Sequence, residues 1–130
     1  MSGPPHALPE VTHKVTQAQI AKYADASGDH NPLHLDPDFA ATTPFGQPVA
    51  HGMLVLAFAS ELLTRSFGRA WLCGGRLRAR FRSPVYAGDV VTARGTLTSH
   101  DSSSATYRVL VQNQDGVDVI TAEATVSLTP

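Results

Sequence analysis

The sequence predicts an α+β fold in which an antiparallel sheet wraps around one long central helix. Residues 52–67 are apolar on nearly every side of a helix, as expected for a segment enclosed by its own protein. The remainder of the chain alternates apolar and polar residues in four segments, 76–82, 90–98, 105–112 and 117–128, which are separated by turn-rich stretches. One buried helix followed by a run of strands packs most economically when the sheet curls around the helix.

Length and composition indicate a single domain. The chain has 130 residues, of which 42% are hydrophobic, so it can bury a sizeable core. Its first ten residues, MSGPPHALPE, contain two adjacent prolines and lack the basic-then-apolar order of a targeting segment. We therefore expect residues 1–10 to be a flexible lead-in and residues 11–130 to form the domain.

Charge and cysteine usage exclude several classes of protein. Ten basic and eleven acidic residues give a net charge of -1, so the basic surface that a nucleic-acid binder needs is missing. The longest apolar run, from Met53 to about Leu63, is shorter than the roughly 18 residues of a membrane span. Cys73 is the only cysteine, which is typical of a reducing cytosol. We predict a cytoplasmic protein that binds neither nucleic acid nor membrane.

A strand and a helix are predicted near the start of the domain. Residues 11–15 alternate as in a short strand. Thr16 and Gln19 match a capping box, in which each side chain satisfies a free backbone N–H at the start of a helix. Gly28 supplies the left-handed residue that commonly closes a helix. The pattern predicts a helix over residues 17–27.

A loop and a short second helix follow. Asn31 precedes Pro32 and is therefore disfavoured in helical backbone, so we expect residues 28–34 to be irregular. The Asp36-Pro37 pair resembles an N-cap followed by proline at the first helical position, and it predicts a helical turn through Ala41.

The loop sequence SGDHNPLH carries the first candidates for chemistry. Asp29 and His34 provide a carboxylate and an imidazole five positions apart. Adding water to an α,β-unsaturated thioester needs such groups, because a base must take a proton from water while the thioester oxygen is stabilised as it gains charge. Taken alone, the same residues are better explained as the ordinary aspartate, asparagine and proline of a loop.

The whole string changes that interpretation. YADASGDHNPLHLDPDFA, residues 23–40, closely resembles the signature of the MaoC-like (R)-specific enoyl-CoA hydratase/dehydratase family, whose members have the hot-dog fold. FGQPVAHGML at 45–54 is similar to that family's lead into its central helix, and FRSPVYAGD at 81–89 is similar to its strand-to-loop segment. The resemblance spans most of the chain and implies a single hot-dog domain.

The resemblance implies a role for several residues. Asp29 and His34 are the catalytic pair that binds the water, and the backbone N–H of Gly52 is the oxyanion donor. Physical chemistry supports the assignment of Gly52, because free N–H groups and the positive end of the dipole lie at the start of a helix. Asn31 is then a structural or supporting polar group, and His51 is a residue that leads into the helix.

Two residues of the central helix are secondary candidates. Ser60 lies two turns into the helix, where the family often has a serine near the catalytic pair, so it is a candidate to tune Asp29. Alternatively, its hydroxyl bonds back along the helix, as buried serines often do. Leu63 is a candidate for the pocket that sets acyl chain length.

A row of arginines is a candidate for binding the carrier of the acyl group. Arg76, Arg78, Arg80 and Arg82 occur at alternate positions and so project from one face of a strand. Arg78 and Arg80 are the candidates for contact with the phosphates of coenzyme A. The alternatives are an ordinary solvated face, and pairing across a dimer interface.

Neither a metal nor a separate cofactor is expected. His30, His34 and His51 with Asp29 form a conceivable zinc ligand set. Pro32 lies between the first two histidines and prevents the helical spacing that would bring them together. Coenzyme A or an acyl carrier protein enters only as part of the substrate.

The leading functional hypothesis is a hydro-lyase that reversibly adds water to a trans-2-enoyl thioester, and the resemblance implies the (R)-3-hydroxyacyl product. One alternative is a hot-dog thioesterase, for which Glu61 is the acid available on the central helix. Another is a non-catalytic acyl-thioester-binding subunit. The resemblance also implies a homodimer with joined sheets and an active site near the interface.

Overall fold

A computed structural model, which describes residues 3–129, contains a five-stranded antiparallel sheet packed against a long helix. The strands lie in the order β1-β3-β4-β5-β2 and are β1 (Val11–Lys14), β2 (Arg76–Phe81), β3 (Val90–His100), β4 (Ser104–Gln112) and β5 (Asp118–Ser127). The helices are α1 (Gln17–Ser27), α2 (Pro32–Leu35), α3 (Pro37–Ala41), α4 (Gly52–Phe67) and α5 (Arg69–Gly74). The predicted α+β layout is confirmed.

Helix α4 supplies the centre of the core. Its buried side chains recur in adjacent pairs one turn apart and are Leu54, Val55, Phe58, Ala59, Leu62 and Leu63. This spacing forms one stripe, which packs against the inward side chains of the sheet. The prediction that the helix is enclosed on all sides is wrong, because Met53, one residue into α4, is 58% exposed. Within residues 3–129, no helix is long and apolar enough to cross a bilayer.

The segment before β1 is fixed to the sheet, in place of the flexible lead-in expected over residues 1–10. Leu8 is 4% exposed, and its N–H donates to the carbonyl of Gly95 on β3 at 3.0 Å. The Tyr107 hydroxyl donates to the carbonyl of Pro5 at 2.7 Å. The first two residues of that predicted lead-in lie outside the described residues.

Local capping signals explain where the first helices begin and end. Thr16 Oγ1 accepts a hydrogen bond from the N–H of Gln19 at 3.1 Å, and α1 ends at Gly28, whose φ of 79° is left-handed. The helix bounds predicted over residues 17–27 are therefore confirmed.

One part of the predicted irregular loop is helical. Pro32–Leu35 form the single turn α2, because Pro32 occupies the first helical position, where a missing N–H costs nothing. Asn31 caps this turn with its side-chain oxygen, which accepts from the N–H of Leu33 at 2.9 Å. Pro32 restricts the backbone of the residue before it, Asn31, which is not helical. It does not restrict the residues after it, so the prediction of an irregular segment fails from Pro32 onward. Helix α5, which follows Gly68 directly, was not predicted.

Candidate active site

Asp29 is held at the end of α1 by bonds that leave one carboxylate oxygen facing His34. Its N–H donates to Ser27 Oγ at 3.2 Å, and its Oδ1 accepts from the N–H of Asn31 at 3.2 Å. The second oxygen, Oδ2, lies 3.9 Å from Nε2 of His34. The side chain of Asp29 is 52% exposed, so this oxygen is open to water.

His34 is oriented by a backbone carbonyl. Its Nδ1 lies 2.7 Å from the carbonyl oxygen of Val49. A carbonyl can only accept, so Nδ1 carries the proton in this bond, and in the neutral ring Nε2 presents a lone pair toward Asp29. The side chain of His34 is 13% exposed. The site therefore contains two acceptor atoms that face each other across a gap.

The segment before α4 fixes both Val49 and the start of the helix. The N–H of Val49 donates to the carbonyl of Leu33 at 3.2 Å, and the N–H of Ala50 donates to the carbonyl of Val85 at 2.7 Å. These bonds attach the segment to α2 on one side and to the loop after β2 on the other. The carbonyl that orients His34 therefore belongs to a fixed segment that ends three residues later at Gly52.

Gly52 is the first residue of α4 and has the properties predicted for an oxyanion donor. Among the described residues, no side chain caps this end of the helix, so its first N–H groups are available to a ligand. A Cβ at position 52 would lie 3.0 Å from Cε1 of Phe81, closer than ordinary packing allows. Glycine therefore keeps the approach to the helix N-terminus open.

A cavity of about 350 Å³ adjoins these groups. His34 and Gly52 lie in its wall together with mainly apolar side chains, which include Phe45, Val55, Phe81 and Ile120. An apolar cavity with a few convergent polar groups is the usual form of a small-molecule site.

His51 is the residue whose importance the sequence did not reveal. It is 2% exposed, and its Nε2 lies 2.9 Å from the carbonyl oxygen of Asp29. Its ring stacks on the ring of His34, with centroids 3.8 Å apart. The sequence offers one signal, a histidine directly before the glycine that begins an apolar helix, but that signal does not reveal the contact with Asp29.

The two helix candidates have other contacts. Ser60 Oγ accepts a hydrogen bond from Trp71 Nε1 at 3.2 Å, so its hydroxyl joins α4 to α5. This bond differs from both predicted uses, which were tuning of Asp29 and bonding back along the helix. Leu63 is completely buried in the core and is not part of the wall of the 350 Å³ cavity.

The arginine row forms a groove of its own. Arg78, Arg80 and Arg82 line it together with Arg108 of β4. Arg82 also lines the cavity that contains His34, so the groove and the cavity share this residue. Arg78 and Arg80 are therefore outside the catalytic cavity and next to it.

The histidine cluster considered as a metal set is only partly assembled. His30 bonds Asp25 at 3.0 Å instead, and that hydrogen bond raises the pKa of His30 above its usual value. Asp29, His34 and His51 offer ligand-type atoms within 4.8 Å of one another. His34 Nδ1 and His51 Nε2 already lie within hydrogen-bond distance of the backbone carbonyls of Val49 and Asp29, so each ring has one nitrogen left for a ligand.

Glu61, the acid considered for a thioesterase, already has partners. Its Oε1 lies 2.7 Å from Nε2 of His13, and its Oε2 lies 2.6 Å from Nη2 of Arg65. Its two oxygens are therefore bonded within the protein, and it is not part of the cavity wall that contains His34 and Gly52.

Together these features define a hot-dog domain with an acid–imidazole pair beside the N-terminus of its central helix. The model for the MaoC like domain matches residues 5–119, and the chain belongs to this family.

Individual relatives agree with this assignment. The chain is 41% identical over 114 residues to the (R)-specific enoyl-CoA hydratase of Aeromonas caviae, which covers 85% of this chain and 84% of that protein. It is 33% identical over 102 residues to 3-hydroxyacyl-thioester dehydratase Z of Mycobacterium tuberculosis, covering 75% and 68%. The solved structure of the A. caviae (R)-hydratase involved in PHA biosynthesis gives a TM-score of 0.81 at 37% identity over 93% of each chain. The predicted hot-dog fold and family resemblance are confirmed.

Proposed function

We propose that this protein is a hydro-lyase that reversibly adds water to a trans-2-enoyl thioester and forms the (R)-3-hydroxyacyl thioester. The observation that carries the proposal is the 3.9 Å gap between Asp29 Oδ2 and His34 Nε2, located beside the cavity that Gly52 also lines. The names of the two curated relatives described above, a hydratase and a dehydratase, support the same reaction in its two directions.

The gap has the dimensions and polarity of a site for one water molecule. Its two facing atoms are both acceptors when His34 is neutral, so neither satisfies the other. A water that donates to two acceptors at about 2.8 Å each holds them roughly 4–4.5 Å apart. Asp29 and His34 can therefore share the two protons of one water and aim its oxygen lone pairs away from themselves.

Hydration then proceeds with each group in one role. Asp29 accepts a proton from the water as the water oxygen bonds to the β-carbon, and the electrons of the alkene move to the thioester oxygen. The N–H of Gly52 stabilises the resulting enolate oxygen. The Asp29–His34 pair returns a proton to the α-carbon, which regenerates the ionised aspartate. Dehydration follows the same steps in reverse.

The proposal is tested with the purified full chain and a series of enoyl thioesters of increasing acyl length, on both coenzyme A and acyl carrier protein. We expect loss of enoyl absorbance without release of thiol, and a product that an (R)-specific 3-hydroxyacyl dehydrogenase oxidises. Thiol release would indicate a thioesterase. No turnover of any member of the series would favour the acyl-binding subunit.

The proposed reaction needs no metal and no separate cofactor, since Asp29, His34 and Gly52 supply the base, the positioning group and the oxyanion donor. Coenzyme A or an acyl carrier protein takes part only as the carrier of the acyl group. A chelator should leave hydration unchanged, and inhibition by a chelator would instead assign a role to a metal at the histidine cluster.

We also propose that the active form is a homodimer in the cytoplasm. Met53, Phe45 and Phe81 are 58%, 40% and 56% exposed near the cavity, and β2 is an edge strand that a second copy can extend. The single cysteine of the sequence, Cys73, is typical of proteins in a reducing compartment and supports the proposed location. Light scattering of the purified protein tests the dimer, and a monomeric mass with full activity would contradict it. Cell fractionation tests the location.

A further inference from the structure

We propose that the groove lined by Arg78, Arg80, Arg82 and Arg108, here called the arginine groove, binds the phosphate groups of the thioester carrier. This inference rests on the proposed function, because it assigns a second site to the same substrate. The groove has a volume of about 260 Å³ and lies on the exposed face of the sheet.

The arginine groove is positively charged, in contrast to the net charge of the chain. Four arginines and Glu123 in its lining give a formal charge of +3, from four positive charges and one negative, on a chain whose net charge is -1. Glu123 lies opposite Arg78 on β2 and opposite Arg108 on β4. Its single negative charge can therefore neutralise part of the positive charge of these two arginines. Arg80 lies opposite the uncharged Thr121, so its charge remains available to a ligand.

Arg82 connects the groove to the catalytic cavity. It follows the last residue of β2 and lines both the arginine groove and the cavity that contains His34 and Gly52. Its Nε donates to Thr121 Oγ1 at 3.0 Å, which fixes it between the two spaces. From Arg82 back to Arg78 the strand extends for roughly 13 Å, at about 3.3 Å per residue. A long ligand can therefore have its thioester at Gly52 and its anionic end at Arg80 and Arg78.

Phosphate esters match this arrangement. Guanidinium groups bind phosphate through paired N–H donors, and a row of them offers several such sites in succession. Coenzyme A has phosphates beyond its pantetheine arm, and an acyl carrier protein has one phosphate in the same arm. An edge-to-edge dimer through β2 would leave the row on the sheet face and place the rows of the two copies side by side.

The test compares carriers that differ in the number of their phosphate groups. Michaelis constants are measured for one enoyl group on coenzyme A, on dephospho-coenzyme A, on acyl carrier protein and on N-acetylcysteamine, which has no phosphate. In the double variant Arg78→Gln/Arg80→Gln, KM for enoyl-CoA should rise about tenfold relative to KM for the N-acetylcysteamine thioester. Arg80→Lys should recover part of the loss. Arg69→Gln, on α5, is the matched control and should behave as the wild type.

An unchanged ratio of these two Michaelis constants in the double variant would overturn the proposal. A loss confined to coenzyme A or to the carrier protein identifies the carrier. Calorimetric titration with free coenzyme A tests the groove without catalysis. A tenfold weaker affinity in the double variant supports the site even when no enoyl thioester is turned over, and an equal affinity rejects it.

A second observation independently carries a role for His51, which we infer to be a positioning residue for the catalytic pair. Its Nε2–H donates to the carbonyl of Asp29, and its ring forms one wall against His34. His51 is also the N-cap of α4, so it directly precedes Gly52, whose N–H is the proposed oxyanion donor. Among the described residues, its buried Nδ1 has no hydrogen-bond partner.

Two substitutions separate positioning from packing. His51→Phe keeps an aromatic ring beside His34 and removes the donor to Asp29, whereas His51→Gln keeps an N–H donor at nearly the same distance from the backbone. We expect kcat of the phenylalanine variant to fall on the order of 10- to 100-fold with KM little changed, because small displacements of reacting groups are costly. The glutamine variant should recover most of the loss.

His30→Gln is the matched control, because His30 adjoins Asp29 in sequence and bonds Asp25 instead. Equal kcat values for His51→Phe and the wild type would contradict the inference, as would a glutamine variant that folds and is as slow as the phenylalanine variant. If His51→Phe does not fold, His51→Leu against His51→Gln makes the same comparison of a missing and a retained donor.

Discussion

Two of the acid–histidine pairs among the described residues have the same chemical groups and opposite geometries. In the closed pair, Glu61 Oε1 and His13 Nε2 are 2.7 Å apart, and the second oxygen of Glu61 is bonded to Arg65 at 2.6 Å. In the open pair, Asp29 Oδ2 and His34 Nε2 are 3.9 Å apart.

The difference shows what converts a histidine and a carboxylate into a reactive site. In the closed pair the two side chains satisfy each other, and the ring of His13 stacks on Phe58 with centroids 4.5 Å apart, so the contact joins β1 to α4. In the open pair, backbone groups of Val49 and Asn31 bind the outer atoms of the two side chains. The inner atoms are held apart and remain available to a third molecule.

The largest expected effect comes from breaking the open pair. Asp29→Asn removes the base, and His34→Ala removes the second acceptor for the water. Each variant should lower kcat for enoyl-CoA hydration by at least about 10², the usual contribution of general acid–base catalysis. Circular dichroism and Tm should stay close to the wild type. Near-normal hydration by either variant would show that the pair is not catalytic.

A smaller loss is expected when the space beside the pair is filled. In Gly52→Ala, the new Cβ would lie 3.0 Å from Cε1 of Phe81 and push that ring toward the cavity. We expect kcat/KM to fall about tenfold, equivalent to roughly 1.4 kcal/mol of transition-state binding. The close contact with Phe81 should lower Tm, and the higher helix propensity of alanine should offset part of that decrease. An unchanged kcat/KM would mean that this approach to the helix is not used.

The same carboxylate-to-amide change in the closed pair should lower stability and leave activity nearly unchanged, which is the opposite of what is expected for Asp29→Asn. Glu61→Gln weakens the bonds to His13 and Arg65, and we expect the free energy of unfolding to decrease by about 1–2 kcal/mol, a value that allows for partial solvent screening. The kcat for enoyl-CoA should remain within about twofold of the wild type. Urea unfolding and steady-state kinetics on one preparation measure both. A loss of kcat as large as that of Asp29→Asn would invalidate the comparison.

The smallest effect is expected at a third acid–histidine contact, which is exposed. The hydrogen bond to Asp25 raises the pKa of His30 in the folded state. Its contribution to stability is therefore fully present below the unfolded pKa of about 6.5 and is lost as pH rises through the higher folded value. His30→Gln should lower Tm slightly at pH 5.5 and should not lower it at pH 8.5. A larger destabilisation at the higher pH would reverse the assigned sign.

Signals that act over a few residues were sufficient to predict much of the fold. Thr16 and Gly28 bound α1 because caps act within one helical turn, and the alternating segments located all four strands that follow α4. Contacts between distant residues were not predicted. The bond from Trp71 to Ser60 and the bond from Leu8 to Gly95 depend on how whole helices and strands pack together. A pattern of a few neighbouring residues does not specify that packing.

The sequence by itself determined the family, the order of the strands and of the two long helices, and the candidates Asp29, His34 and Gly52, because a reactive loop and a helix start are encoded in contiguous residues. Only the tertiary structure decided that the pair is open. The carbonyl that turns His34 comes from Val49, 15 residues away, and the histidine that holds Asp29 comes from 22 residues away. The distance between the two side chains depends on the groups that bond the far side of each, which are the carbonyl of Val49 and the ring of His51. These groups reach Asp29 and His34 only when the chain folds.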